Sequence, residues 1–243
     1  MRRLRPSIPA QTRGLSAGAR QRPTLVGKVF YSPRGEPALV ASTPVALRSH
    51  IQGWEGRLAW QAAKESLARF LAEHLLEREL PDLTLKPDPL GKPQIWMGAA
   101  PGPALSFSWS TGRLWAAVGR SESDLGLDVA APREFAGSYP HRRVFTEAEW
   151  REAVTLTAGN QEEAAALLWS VKEAVVKARG CGFHFLSPRQ VEVQFAVQGE
   201  HGYLWQGYLE NPGLGRTIPG GQQPCPVVSV RLKEVWLSVA WSR

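Results

Sequence analysis

The run from Leu167 to Gly180, Leu-Leu-Trp-Ser-Val-Lys-Glu-Ala-Val-Val-Lys-Ala-Arg-Gly, leaves the chain little choice of local structure. Ala164, Leu167, Leu168, Val171, Ala174, Val175 and Ala178 fall at the i, i+3, i+4, i+7 spacing that gives a helix one buried stripe. Asn160 suits the N-cap, with Glu163 three residues on as its capping-box partner. Gly180 suits the left-handed residue that stops such a helix. Glu173 then points away from the stripe, Lys177 lies beside it four residues later, and Trp169 sits one turn earlier on the same side. Alone, this is an ordinary solvated ion pair. A carboxylate able to hold a metal and a lysine able to meet a phosphate nevertheless share one exposed face.

The net charge of +7 invites a nucleic-acid reading, but its location argues against one. Residues 1–22 hold six arginines and no acid, and without them 23 basic residues face 22 acidic ones. The excess sits beside Pro6, Pro9, Gly14 and Gly18 and reads as a disordered basic tail, residues 1–24. The tail lacks the apolar centre of a secretory signal. Its arginine-rich, acid-free composition is shared with transit peptides, whose amphipathic helix the prolines and glycines would spoil. No apolar run approaches the roughly 20 residues of a membrane span. Cys181 and Cys225 are too few for a disulfide framework, and no Cys/His spacing suits a metal. The expected location is a reducing cytoplasm.

The remaining pattern predicts an α+β fold. A long helix is expected over Leu58–Leu80, with Leu67, Phe70, Leu71, Leu75 and Leu76 on its apolar face. A Pro/Gly-rich link, Lys86–Pro93, precedes strands near Leu105–Trp109, Leu114–Val118 and Leu125–Val129. A helix near Thr146–Leu156 and the Leu167–Gly180 helix follow. Strands come next near Val191–Phe195, Tyr203–Leu209, Val227–Leu232 and Val235–Trp241, with a loop over Gly213–Pro226. Two body units are expected, residues 25–130 and 131–243.

The string W-S-x-K-E-A-x-x-K-x-x-G resembles the signature of the surfactin-type 4′-phosphopantetheinyl transferases, which move the phosphopantetheine arm of coenzyme A onto a serine of a carrier protein. Gly91-Lys92-Pro93 resembles that family's Gly-Lys-Pro turn. Ser106-Phe107-Ser108-Trp109-Ser110 stands where the family has Asn-x-Ser-His-Ser. Gly126-Leu127-Asp128-Val129-Ala130 stands where it has Gly-x-Asp-x-Glu. Arg143-Val144-Phe145-Thr146-Glu147-Ala148-Glu149-Trp150 resembles its Arg-Phe-Phe-x-x-x-Glu-Tyr segment. The resemblance runs from about Trp54 to the C-terminus. It implies two pseudo-symmetric halves, each with helices on a mostly antiparallel sheet, and an active-site cleft between them.

It also implies a chemistry. Magnesium and coenzyme A are the expected cofactor and co-substrate, and an acyl or peptidyl carrier protein the expected partner. An extended Gly126–Ala130 puts Asp128 on the face opposite Leu125, Leu127 and Val129. A lone strand-end aspartate is usually a turn or edge residue; its place in the motif makes it a metal ligand. Glu173 is expected as second ligand and as the group taking the serine proton. Lys172 and Lys177 are expected at the pyrophosphate, although Lys172 must bend into the cleft to arrive there. Lys92 and Ser108 are expected at a coenzyme A phosphate. Arg57 is added by register alone and is otherwise a solvated arginine. Trp169 is expected to pack.

Two departures bear on activity. Ala130 stands in place of the third acid and cannot bind metal, and Trp109 replaces a phosphate-contacting histidine with an uncharged donor. Three readings therefore stand: a working transferase, a relative that binds coenzyme A or a carrier protein without turnover, and a nucleic-acid or anionic-surface binder acting through the tail.

Overall fold

A computed structural model describes residues 23–45, 54–120, 124–183, 186–199, 202–209 and 224–242. The described strands are β1 (Thr24–Tyr31), β2 (Pro37–Pro44), β3 (Leu83–Pro87), β4 (Pro93–Met97), β5 (Ala100–Pro101), β6 (Ala104–Ser110), β7 (Arg113–Gly119), β8 (Asp124–Ala130), β9 (Val191–Gly199), β10 (Gly202–Leu209), β11 (Cys225–Leu232) and β12 (Val235–Ser242). The α-helices are α1 (Trp54–Leu76), α2 (His141–Val144), α3 (Glu147–Leu156) and α4 (Gln161–Ala178). All strand pairs are antiparallel, in the orders β1-β2-β7-β6, β8-β12-β11-β10-β9 and β3-β4-β5. The α+β expectation holds.

Side-chain alternation builds four layers from these parts. On β7, Leu114, Ala116 and Val118 pack toward Leu67, Ala68, Leu71 and Ala72 of α1. The intervening Trp115 and Ala117 face the second sheet, meeting Leu127, Val129, Leu237 and Val239. The other face of that sheet, through Trp205, Val227 and Trp236, receives Leu167, Leu168, Val171 and Val175 of α4. The order is thus α1, first sheet, second sheet, α4.

Helix α4 ends as its sequence demands. Cys181 N–H donates to Val176 O and Gly180 N–H to Lys177 O, with Gly180 at φ +69°, which is a Schellman close. At the other end the Asn160 side chain accepts from Glu163 N–H at 3.0 Å. The reciprocal half of the expected capping box is absent. Glu163 instead accepts from Arg231 and from Trp236 Nε1, tying the helix start to β11 and β12.

The approach of α4 to β8 depends on one missing side chain. A Cβ built on Gly126 would lie 1.9 Å from Ala174 O and 2.5 Å from Ala178 N. Only glycine lets the helix backbone sit directly on this strand. The outer strands β6 and β8 also lie side by side, joined by serine hydroxyls. Ser106 Oγ accepts Leu127 N–H at 2.9 Å and Ser108 Oγ accepts Val129 N–H at 3.1 Å. These bonds satisfy edge groups that a neighbouring strand would otherwise pair.

Several expectations shift. The first helix spans Trp54–Leu76 rather than Leu58–Leu80, although Leu80 is buried beyond it. The Lys86–Pro93 link is mostly the turn of the β3–β4 hairpin, held by Asp88 Oδ1 accepting from Leu90 N–H and Lys92 N–H. Strands β1 to β5 were not anticipated. Of the expected loop Gly213–Pro226, Cys225 and Pro226 open β11, while residues 213–223 lie outside the described residues. Residues 1–22 of the expected tail also lie outside them, and Thr24 begins β1.

Gly126→Ala should force α4 off β8. The expected loss is about 1–3 kcal/mol of unfolding free energy, typical of overpacking and checked by urea denaturation.

Candidate active site

Asp128 projects from β8 toward α4 and is almost buried, at 5% exposure. Its Oδ1 accepts from Ser108 Oγ at 2.8 Å and from Lys177 Nζ at 2.7 Å. Glu173 Oε2 lies 3.7 Å from the same Lys177 nitrogen. Two carboxylates, one from the strand and one from the helix, therefore converge on a single ammonium. Lys177 Nζ also donates to Leu127 O at 3.2 Å.

Electrostatics follow from this crowding. Burial raises the Glu173 pKa above its usual 4.5, the neighbouring Asp128 charge adds to the rise, and Lys177 works against it. Burial would lower the Lys177 pKa, but Asp128 and Glu173 outweigh it, so the ammonium holds its proton more tightly than a free lysine. Two hard-oxygen donors repelling each other around one cationic position fit a divalent ion such as magnesium. Among the described residues no third Asp, Glu, His or Cys joins them, so water and substrate oxygens would complete the coordination.

Beside Lys177 opens a cavity of about 340 Å³. Its walls come from α1 (Lys64), the β3–β4 turn (Gly91, Lys92), β6 (Ser106, Phe107) and the chain after α4 (Gly180, Cys181). Lys92 Nζ donates to Asp124 Oδ1 at 2.7 Å and to Ala178 O at 3.3 Å, so the hairpin turn closes onto the end of α4. Lys64 Nζ lies 5.8 Å from the Trp60 ring and 5.6 Å from the Phe107 ring. Lys64, Lys92 and Lys177 thus line one cavity with an aromatic wall, a setting for a phosphorylated ligand with an apolar part.

Other expected residues go elsewhere. Lys172 does not bend into the cleft. It is fully buried, with Nζ 2.9 Å from Glu149 Oε2 and donating to Val191 O at 2.7 Å and Pro188 O at 3.0 Å. Successive helical residues are separated by about 100°, enough to carry it to the core side of α4. Burial lowers its pKa, and the Glu149 carboxylate opposes that fall. Ser108 is buried, with its hydroxyl directed at Asp128 rather than at the cavity. Arg57 is exposed on α1 and is not among the residues lining the cavity. Trp169 packs as expected, 5.3 Å from the Phe183 ring and 6.4 Å from Phe135. Trp109 keeps its indole N–H buried without a partner among the described residues. Ala130 is 1% exposed within the apolar cluster beneath α4, so position 130 is enclosed by apolar packing.

Sequence reasoning missed Lys64, Ser106 and Glu149. The alternation Ser106, Ser108, Ser110 was a visible signal of a polar strand face. Thr146-x-x-Glu149 was a visible capping box, which the structure forms: Thr146 N–H donates to Glu149 Oε2 at 2.7 Å and Glu149 N–H to Thr146 Oγ1 at 3.2 Å. No local pattern reveals that the same Glu149 also receives Val193 N–H at 2.9 Å and pairs with Lys172.

With this geometry in view, the comparison with known proteins is specific. Residues 124–207 match the 4′-phosphopantetheinyl transferase superfamily. The matched segment begins with β8 and runs through α4 into β10, so it contains Asp128, Glu173 and Lys177. Lys64, Lys92 and Ser108 lie before it. The match supports phosphopantetheine transfer in general. No curated protein matches the chain.

The Lys172–Glu149 pair gives a stability test. Glu149→Ala leaves an uncompensated buried ammonium and uncaps α3. A loss of about 3–5 kcal/mol is expected in chemical denaturation.

Proposed function

We propose that this chain is a surfactin-type transferase that moves the 4′-phosphopantetheine arm of coenzyme A to a serine of an acyl or peptidyl carrier protein, with magnesium. The observation that carries this reading is the convergence of Asp128 and Glu173 on Lys177 at the edge of a lysine-lined cavity. The superfamily match over residues 124–207 supports it independently.

In this reading the carrier serine oxygen attacks the β-phosphorus of coenzyme A, and the bond to adenosine 3′,5′-bisphosphate breaks. The protein supplies position and charge. Asp128 and Glu173 would hold magnesium, which when bound neutralises developing charge on the pyrophosphate. Lys177, kept protonated by two carboxylates, offers a point charge to the phosphates. Lys92 and Lys64 face the same cavity and serve the phosphate groups farther from the reacting atom. Glu173 takes the serine proton, directly or through water. Lys172 acts on none of these groups and instead fixes α4 against α3 and β9. In the same reading, α1 with the first sheet and α4 with the second sheet are the two pseudo-symmetric halves, and the active-site cleft lies between them.

The deciding experiment incubates the protein with coenzyme A, magnesium and a panel of apo carrier proteins, followed by intact-mass measurement. A gain of one phosphopantetheine on a carrier is expected. No gain on any carrier that a control transferase modifies would overturn the proposal in favour of binding without turnover, the reading that rests on Ala130 and Trp109. Glu173→Gln should lower kcat by about 10²–10³-fold with the fold intact by circular dichroism. Chelation of divalent ions should stop transfer, and added magnesium should restore it.

A further inference from the structure

The hydroxyl of Ser108 has a single proton and two lone pairs. Its proton goes to Asp128 Oδ1 at 2.8 Å, and a lone pair receives Val129 N–H at 3.1 Å. Both partners belong to β8, and the serine is buried. The Val129 N–H restrains the hydroxyl rotor, so the O–H bond is aimed at the carboxylate. A phosphate presents acceptor oxygens and needs a donor. Ser108 cannot serve one without releasing Asp128.

Ser106 provides the internal comparison. Two residues earlier on the same face of β6, its hydroxyl accepts Leu127 N–H at 2.9 Å. It makes the same kind of join to β8 without the bond to Asp128. The join between strands and the grip on the carboxylate are therefore separable by mutation.

We propose that Ser108 is a positioning residue for Asp128, holding the carboxylate in the orientation that receives a divalent cation, and that it makes no contact with the nucleotide phosphates. Lys177 donates to the same Oδ1 at 2.7 Å, so two donors from two different elements define one oxygen. Groups that orient a metal-binding side chain change cation affinity by about 10–100-fold when removed. The inference rests on the cation-binding role given to Asp128 above.

The experiment measures Mn²⁺ binding to the full chain by electron paramagnetic resonance, without coenzyme A, for wild type, Ser108→Ala and Ser106→Ala. Carrier loading is followed in parallel against magnesium and against coenzyme A. Ser108→Ala is expected to raise the Mn²⁺ Kd and the half-saturating magnesium concentration by about tenfold or more. Its KM for coenzyme A at saturating magnesium should stay within about twofold of wild type, since Ser108 makes no phosphate contact. Ser106→Ala should lose comparable thermal stability yet keep the wild-type Mn²⁺ Kd. If Ser108→Ala does not fold, Ser108→Cys, with similar size and a weak donor, carries the same comparison. An unchanged Mn²⁺ Kd in the Ser108 variant, an equal change in both serine variants, or a rise in coenzyme A KM alone overturns the inference while leaving the transferase reading intact. Failure of the wild type to bind Mn²⁺ while it still loads carriers overturns the inference alone, and failure of both overturns the transferase reading as well.

Discussion

The contact between α4 and β8 at Gly126 is what the rest of the site hangs on. Helix backbone rests where a side chain would otherwise stand. That closeness lets a helix carboxylate and a strand carboxylate reach the same lysine nitrogen. A side chain at position 126 would push the α4 backbone away from β8, and Lys177 away from Asp128 with it. The glycine is thus a chemical requirement expressed as a packing feature.

The same helix employs two lysines in opposite ways. Lys172 is buried against Glu149 and two backbone carbonyls, where its charge is fully enclosed. Lys177, five positions on, is partly exposed between Asp128 and Glu173. Glu149 joins three elements at once: it caps α3, receives the β9 amide of Val193 and holds Lys172 of α4. Buried ion pairs of this kind contribute little net stability relative to apolar packing. Their effect here is to fix the rotation of α4, which decides what Glu173 and Lys177 face.

Much of this was legible in residue order. The period of α4 gave its buried stripe, Gly180 its end, and strand alternation the inward face of Asp128. The separation of Lys172 from its neighbour was not legible. A motif records that two polar residues are adjacent but not that about 100° of helix rotation sends one to the core. Strands β1 and β2 were missed because sequence position says little about which segment closes a sheet edge; exposed Leu25, Val29 and Tyr31 blur the alternation of β1. The direction of the Ser108 hydroxyl was not legible for a related reason. A serine in a strand can face a ligand or a neighbouring carboxylate, and only the fold decides.

The enclosure of Ala130 limits what can replace it. Its methyl is sealed among apolar neighbours under α4. An acid reintroduced there would be stripped of water with no opening toward the cavity, a change that is heavily penalised. A carboxylate at position 130 would therefore need several coordinated substitutions to open its surroundings, whereas the acids and lysines that face the cavity can change singly.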